Sequence, residues 1–272
     1  MMSRLLSANF VRVKKSKLFW CLTVISFLAA LFEIVNRLSY PERPTIDGIM
    51  FVYPVLIGIM IPIFASIFFG TEYSDGTIRN KLMIGHLRTN IYIANLITAV
   101  SAALVMAAAY LIPVLVAGFP IFGLPTVGGA QCVKMLFLSF ATIIAICSLH
   151  VMVSMIYGNK AGATIINLLL AFIFLVAALA VLGELTAPEF VPNYDMAGNL
   201  IEYVPNPTYP TGIERAIYQF IADILPIGQA AQFFSGTIYS GSPLWLLAVY
   251  AIAVSVVCTA TGMLVFGKKN IK

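Results

Sequence analysis

An all-α integral membrane protein with six transmembrane helices is the fold class this sequence predicts, and three observations carry it. Only 10% of the 272 side chains are charged and the mean hydropathy is +0.97, outside the range of an ordinary soluble domain of this length. Six apolar stretches, at 17–36, 49–69, 91–118, 132–157, 162–183 and 243–266, each supply the roughly 20 residues needed to cross a hydrocarbon core about 30 Å thick. The basic residues are also distributed unevenly. With the N-terminus in the cytoplasm, Arg4, Arg12, Lys14, Lys15, Lys17, Arg79, Lys81, Arg88, Lys160, Lys268, Lys269 and Lys272 fall inside, and only Arg37, Arg43, Lys134 and Arg215 fall outside. Basic flanks resist translocation, so both termini are expected on the cytoplasmic face.

Residues 1–16 place Met2, Leu5, Leu6, Phe10 and Val13 among Arg4, Arg12, Lys14 and Lys15, the pattern of an amphipathic helix lying in the inner interface. The first apolar run after it is too long for a signal peptide. Glu33, Asn36 and Arg37 also stand where a small-residue cleavage site would be, so the run is expected to stay as the first span. The connections at 38–48, 119–131 and 157–161 are short turns. Residues 184–242 form the one long hydrophilic insertion, and it is expected outside. Its first part is turn chemistry dominated by Pro, Asn and Gly. Its second part spaces Ile213, Ile217, Phe220, Ile221 and Ile224 helically, breaks at "LPIG" and resumes at "QAAQFFSG", which predicts a re-entrant helical hairpin before the last span. The whole chain, 1–272, reads as one transmembrane domain.

Several functions are disfavoured by what the spans lack. Ion-coupled carriers hold their coupling ion on ionisable groups within the bilayer, but the interiors of spans two to six contain no Asp, Glu, Lys or Arg. His150, with Asn167 and Asn95, is the one candidate intramembrane polar site. A lone histidine among apolar residues usually makes an interhelical hydrogen bond. A membrane-embedded enzyme would need these three side chains in one cavity. No HExxH or GxSxG signature is present, and no residues stand at metal-ligand spacing, so neither a catalytic residue nor a bound metal is expected. Cys21, Cys132, Cys147 and Cys258 lie in or beside apolar spans and read as packing residues. The net charge of +5 is accounted for by anionic membrane lipid and calls for no nucleic acid.

The charges collect instead in the loop "FFGTEYSDGTIRNKLMIGHLR", Phe68–Arg88, between the second and third spans. Gly76 should break the helix there, Thr77 should cap a short one over Ile78–Ile84, and Gly85 should end it. Ile78 and Leu82 then share one face while Arg79 and Lys81 point elsewhere. A loop serving only as a topology signal needs positive charge but none of the caps, the apolar face, Glu72 or Asp75. A short capped amphipathic helix on the inner surface is what a cytoplasmic partner grips.

This segment resembles the membrane subunits of ABC-2-type ATP-binding-cassette exporters, in which a Glu-Tyr-x-x-Gly-Thr pattern after the second span opens the coupling helix that docks on a separate ATPase. Glu72, Tyr73, Gly76 and Thr77 match that pattern, and Arg88 matches an arginine that leads into the third span. Where the family often has a lysine near the start of that span, this chain has Asn95. The resemblance implies an exporter permease of the bacterial cytoplasmic membrane, similar to those of bacteriocin self-protection and multidrug systems. It would pair with a second copy or a paralogous permease and move a hydrophobic or amphipathic compound such as a peptide antibiotic, lipid or drug. Glu72, Tyr73, Gly76, Thr77, Ile78, Arg79, Leu82 and Arg88 are then the expected ATPase interface. The chain has no GxxxxGK[ST] loop, so ATP and Mg belong on the nucleotide-binding partner. The competing expectations are a channel or ion-coupled carrier and a membrane-embedded enzyme.

Overall fold

A computed structural model of the chain describes residues 2–39, 45–194, 200–235, 238 and 241–270. Arg43 and Lys272, both used in the count of basic residues, lie outside the described residues. Among the described residues, six helices are long and apolar enough to cross a membrane: Lys17–Leu38, Asp47–Ser74, Arg88–Phe122, Gly129–Ile156, Lys160–Leu185 and Leu244–Lys268. In chain order the elements begin with α1 (Met2–Lys15) and α2 (Lys17–Leu38), separated at Ser16, whose Oγ caps α2 by accepting from the Phe19 N–H at 3.3 Å. α3 (Asp47–Met50) leads into α4 (Tyr53–Ser74), followed by the short α5 (Thr77–Met83). α6 (Arg88–Pro113) continues through a π turn at Val114–Gly118 into α7 (Phe119–Phe122). α8 (Gly129–Ile156) and α9 (Lys160–Leu185) come next. After them stand β1 (Phe190–Tyr194), β2 (Leu200–Pro205), α10 (Gly212–Ile224), α11 (Pro226–Ser235) and α12 (Leu244–Lys268).

The third apolar segment is longer than the sequence pattern predicts, starting at Arg88 and running past Gly118 to Phe122. Pro113 removes one backbone donor, and the wider π turn that follows resets the ladder so that the helix runs on to Phe122. A second difference is in the long insertion, where the stretch expected to be turns pairs as an antiparallel ribbon, Phe190 opposite Pro205 and Val191 opposite Val204. Val191, Ile201, Tyr203 and Val204 favour strands, and Pro192 is tolerated because a two-stranded ribbon has a free edge on each strand. The described residues are therefore helical with one small β-ribbon.

The segment Asp47–Ser74 is the centre of the bundle, 72% buried across its apolar window against 17% for the last long helix. α4 packs on α8, α9, α6, α11 and α2. Its Phe64 and Phe68 rings stack at 4.9 Å, and Phe69 meets Phe68 edge-on at 5.3 Å. α2 closes on α6 where Ala102, Ala103 and Ala107 are buried, near enough for Ser26 Oγ to donate to the Met106 carbonyl at 2.8 Å. Outward faces of α2, α9 and α12 carry Phe32, Phe172 and Val256 in the open, a surface suited to lipid rather than water.

The two short helices of the insertion form as their periodicity predicts. Leu225 is extended and Pro226 starts α11, whose residues Pro226–Phe233 are all buried against α4, α8 and α9.

Candidate functional site

Helix α5 is set up by two glycines. Gly76 takes φ +66°, a left-handed value that turns the chain out of α4, and it occupies the N-cap position, so Thr77 is the first helical residue rather than the cap. At the other end Gly85, φ +89°, donates to the Leu82 carbonyl at 2.9 Å while His86 N–H donates to the Lys81 carbonyl at 3.1 Å. That pair of bonds is a Schellman closure, and it stops α5 after two turns.

At its root lies a fully buried carboxylate. Glu72, in the last turn of α4, receives Lys81 Nζ of α5 on Oε1 at 2.6 Å and Arg12 Nη1 of α1 on the same oxygen. Asn95 Nδ2 of α6 donates to Oε2 at 3.2 Å. Arg12 also donates to the Phe68 carbonyl at 3.1 Å and lies 4.4 Å from the centre of that ring. Asn9 of α1 extends the network: it accepts from Lys81 Nζ at 3.2 Å and donates to Asn95 Oδ1 at 2.9 Å and Thr98 Oγ1 at 3.1 Å. Asn9, Asn95 and Thr98 are all fully buried. Removing a carboxylate from water costs several kcal/mol, and the cost is offset only when its lone pairs are filled, as three donors fill them here. Four helices, α1, α4, α5 and α6, therefore meet on one side chain.

Around this cluster the ends of α8 and α12 are tied in. Tyr73 Oη donates to the Met155 carbonyl at 2.5 Å, and Lys269 Nζ lies 4.4 Å from the Tyr73 ring centre and donates to the Ile156 carbonyl at 2.7 Å. Arg88 Nη1 donates to the carbonyls of Phe266 at 2.9 Å and Lys269 at 2.5 Å. Cations thus sit on the last carbonyls of two helices, where the peptide dipoles favour them. Burial in this corner pushes the Lys269 ammonium below the ordinary lysine range.

Of the residues expected to face a partner, Glu72 and Ile78 are fully buried within this chain and cannot present a docking face. This corrects the expected orientation of α5. Leu82 packs against the same core, and Tyr73 and Arg88 are half-buried in the contacts just described. Ile78 turns inward because the bundle under α5 offers it a dry site of its own. Arg79 remains exposed, and beside it Met83, Ile84 and Leu87 stand 70%, 74% and 63% exposed. Arg12 and Lys81, which the sequence suggests are topology charges, are spent on Glu72. Their partners lie 60 and 9 residues away, and no local spacing announces either pairing.

The three intramembrane polar residues do not share a cavity. His150 Nδ1 bonds Asn167 Oδ1 at 2.8 Å, and Asn167 Nδ2 donates to Ser154 Oγ at 2.9 Å, a buried staple between α8 and α9. The gap beside His150 is about 10 Å³, at the lower limit for a single water. Asn95 belongs to the Glu72 cluster instead.

A second polar cluster fixes the insertion at the opposite end of the bundle. Asp223, buried at the end of α10, accepts from Gln219 Nε2 at 2.7 Å and Gln232 Nε2 at 3.1 Å on Oδ1, and from Ser242 Oγ at 2.5 Å on Oδ2. Gln229 of α11 donates to the carbonyls of Asp223 at 2.7 Å and Leu247 at 2.9 Å and accepts from Thr142 Oγ1 at 2.8 Å.

Comparison with known proteins bears on the first cluster. A family model described as "ABC-2 family transporter protein" matches residues 5–178, a span that contains Asn9, Arg12, Glu72, Lys81 and Asn95 together. No curated protein matches the chain. With six apolar helices and a matched segment covering well over half its length, the chain belongs to the ABC-2 transporter family and is a multi-pass ABC permease, a transport subunit.

Proposed function

We propose that this permease is the membrane half of an exporter driven by a separate ATPase subunit, with α5 as the coupling helix. The observation that carries the reading is the anchoring of α5: through Lys81 and Glu72 its backbone is joined to α1, α4 and α6, so a push on α5 reaches the bundle. The docking face is Arg79, Met83, Ile84 and Leu87, the residues α5 and its exit leave uncovered. Three exposed apolar side chains beside an arginine fit a groove with a polar rim. ATP and Mg act on the partner. In this chain the step is mechanical: closure of the ATPases moves α5, and the bundle shifts between two arrangements against a second permease subunit.

In this reading both termini and α5 face the cytoplasm of a bacterial cell and the α10–α11 hairpin lies on the other side, in agreement with the twelve-to-four distribution of basic residues. The cargo is a hydrophobic or amphipathic compound, since the buried carboxylates of the described spans, Glu72 and Asp47, lie at span ends and none lies midway. Purification of the permease from producing cells tests the docking face. The wild type should bring with it a protein containing a GxxxxGK[ST] loop, and Met83→Asp with Ile84→Asp should lose that protein while staying folded, because both positions are exposed. Retention of the ATPase and of export by the double variant would refute the assignment.

A further inference from the structure

At the α5 end of the bundle an apolar groove of about 510 Å³ runs along the lipid-facing surface between α1, α2 and α6. Phe10, Val13, Phe19, Ala102 and Val105 form its walls and Lys14 stands at its mouth, with Trp20 beside it donating from Nε1 to the Lys14 carbonyl at 2.8 Å. The volume is in the range of small-ligand sites. Lys14 lines the groove, Lys15 and Lys17 follow it where α1 gives way to α2, and all three lysines are exposed. Among the described residues none of their ammonium groups has a hydrogen-bond or ion-pair partner, whereas Arg12 and Lys81 nearby are both committed to Glu72. The remaining carboxylate at this end is Asp75, on the turn into α5.

We propose that this groove is a binding site for one anionic phospholipid, an acyl chain lying against Phe10, Phe19 and Val105 and the phosphate meeting Lys14, Lys15 and Lys17. The shape calls for a long apolar chain and the mouth for a negative head, and a membrane phospholipid carries both. A second copy of the chain fits the place poorly, since a two-fold contact centred on the groove would gather both sets of lysines with little negative charge to offset them. The bound lipid would hold α1, and with it Asn9 and Arg12, against Glu72. The assignment rests on the proposed position of α1 at a membrane surface, but it requires neither an ATPase nor a cargo, so it can fail independently.

Native mass spectrometry of the purified full-length chain tests it, comparing retention of phosphatidylglycerol with phosphatidylcholine of identical acyl chains. The wild type should retain phosphatidylglycerol preferentially. Lys14→Gln with Lys17→Gln should weaken that retention about thirtyfold, roughly fivefold for each lysine removed. Ser101→Phe, which fills the groove, should abolish it. The lysine variants alter only exposed side chains, so the result stands even if Ser101→Phe fails to fold. Equal retention of the two lipids, or undiminished phosphatidylglycerol in the lysine double variant, would overturn the proposal. So would soluble glycerol phosphate binding as tightly as the lipid, which would make the site one for free phosphate. Loss of subunit pairing in Ser101→Phe with lipid retention intact would make the groove a protein interface and equally overturn it.

Discussion

Of the buried carboxylates, Glu72 and Asp223 stand at opposite ends of this bundle, and they are stabilised by different means. Glu72 is held by two cations and an amide drawn from three other helices, across 60, 9 and 23 residues of sequence. Asp223 is held by two glutamine amides and a serine hydroxyl, all within 19 residues, and by no cation among the described residues. The first arrangement joins distant elements and leaves two charges stranded if it breaks. The second closes a local hairpin, and loss of its carboxylate strands only neutral dipoles. A joint of paired charges suits a place where force must cross between helices, and a carboxylate held by neutral donors suits a hairpin that only has to stay seated.

Breaking the charged joint should have the largest effect. Glu72→Ala is expected to cost about 3–5 kcal/mol, because Arg12 and Lys81 lose their common partner in a partly buried site. Unfolding titrations in detergent would measure it, and adding Lys81→Met to Glu72→Ala should cost much less than the two separate losses added together. Next comes Gln229→Ala, expected to cost about 2 kcal/mol because the Asp223 carbonyl is left without its amide donor and the Leu247 carbonyl, already bonded within α12, loses a second one. The sharpest contrast is between isosteres. Glu72→Gln should destabilise by roughly 3 kcal/mol, while Asp223→Asn should change stability by less than about 1 kcal/mol, since it strands no charge. Equal costs for these two substitutions would show that charge pairing is not what distinguishes the ends. The smallest stability effect is expected for Met83→Asp with Ile84→Asp, within about 0.5 kcal/mol because both side chains are exposed.

Much of the fold was legible because lipid imposes a simple rule, a long apolar run for each crossing, and because Gly76, Gly85 and Pro226 punctuate the chain where their backbones require it. The β-ribbon at 190–205 was not, since Pro and Asn conceal a strand pattern that needs only alternate residues. Helix α5 was found in sequence but turned the wrong way, because two apolar residues on a seven-residue helix do not say whether they face a partner or their own bundle. Asn9, Arg12 and Lys81 were invisible as cluster members: their bonds cross between helices whose packing no local pattern encodes. Asn95, read in sequence as part of an intramembrane polar site with His150, belongs to the Glu72 cluster instead. Lys81 delivers the positive charge from α5, and Asn95 adds a neutral donor from α6.

The proposed coupling role reduces to whether the exposed tip of α5 touches an ATPase in the cell. A photo-crosslinking amino acid placed at Ile84, compared with one at Ile213 on the hairpin, measures this directly, since both positions are well exposed and lie on opposite ends of the bundle. The account predicts capture of a GxxxxGK[ST]-containing protein from position 84 and none from position 213. Capture from 213, or an empty result at 84 in cells that export, would contradict it.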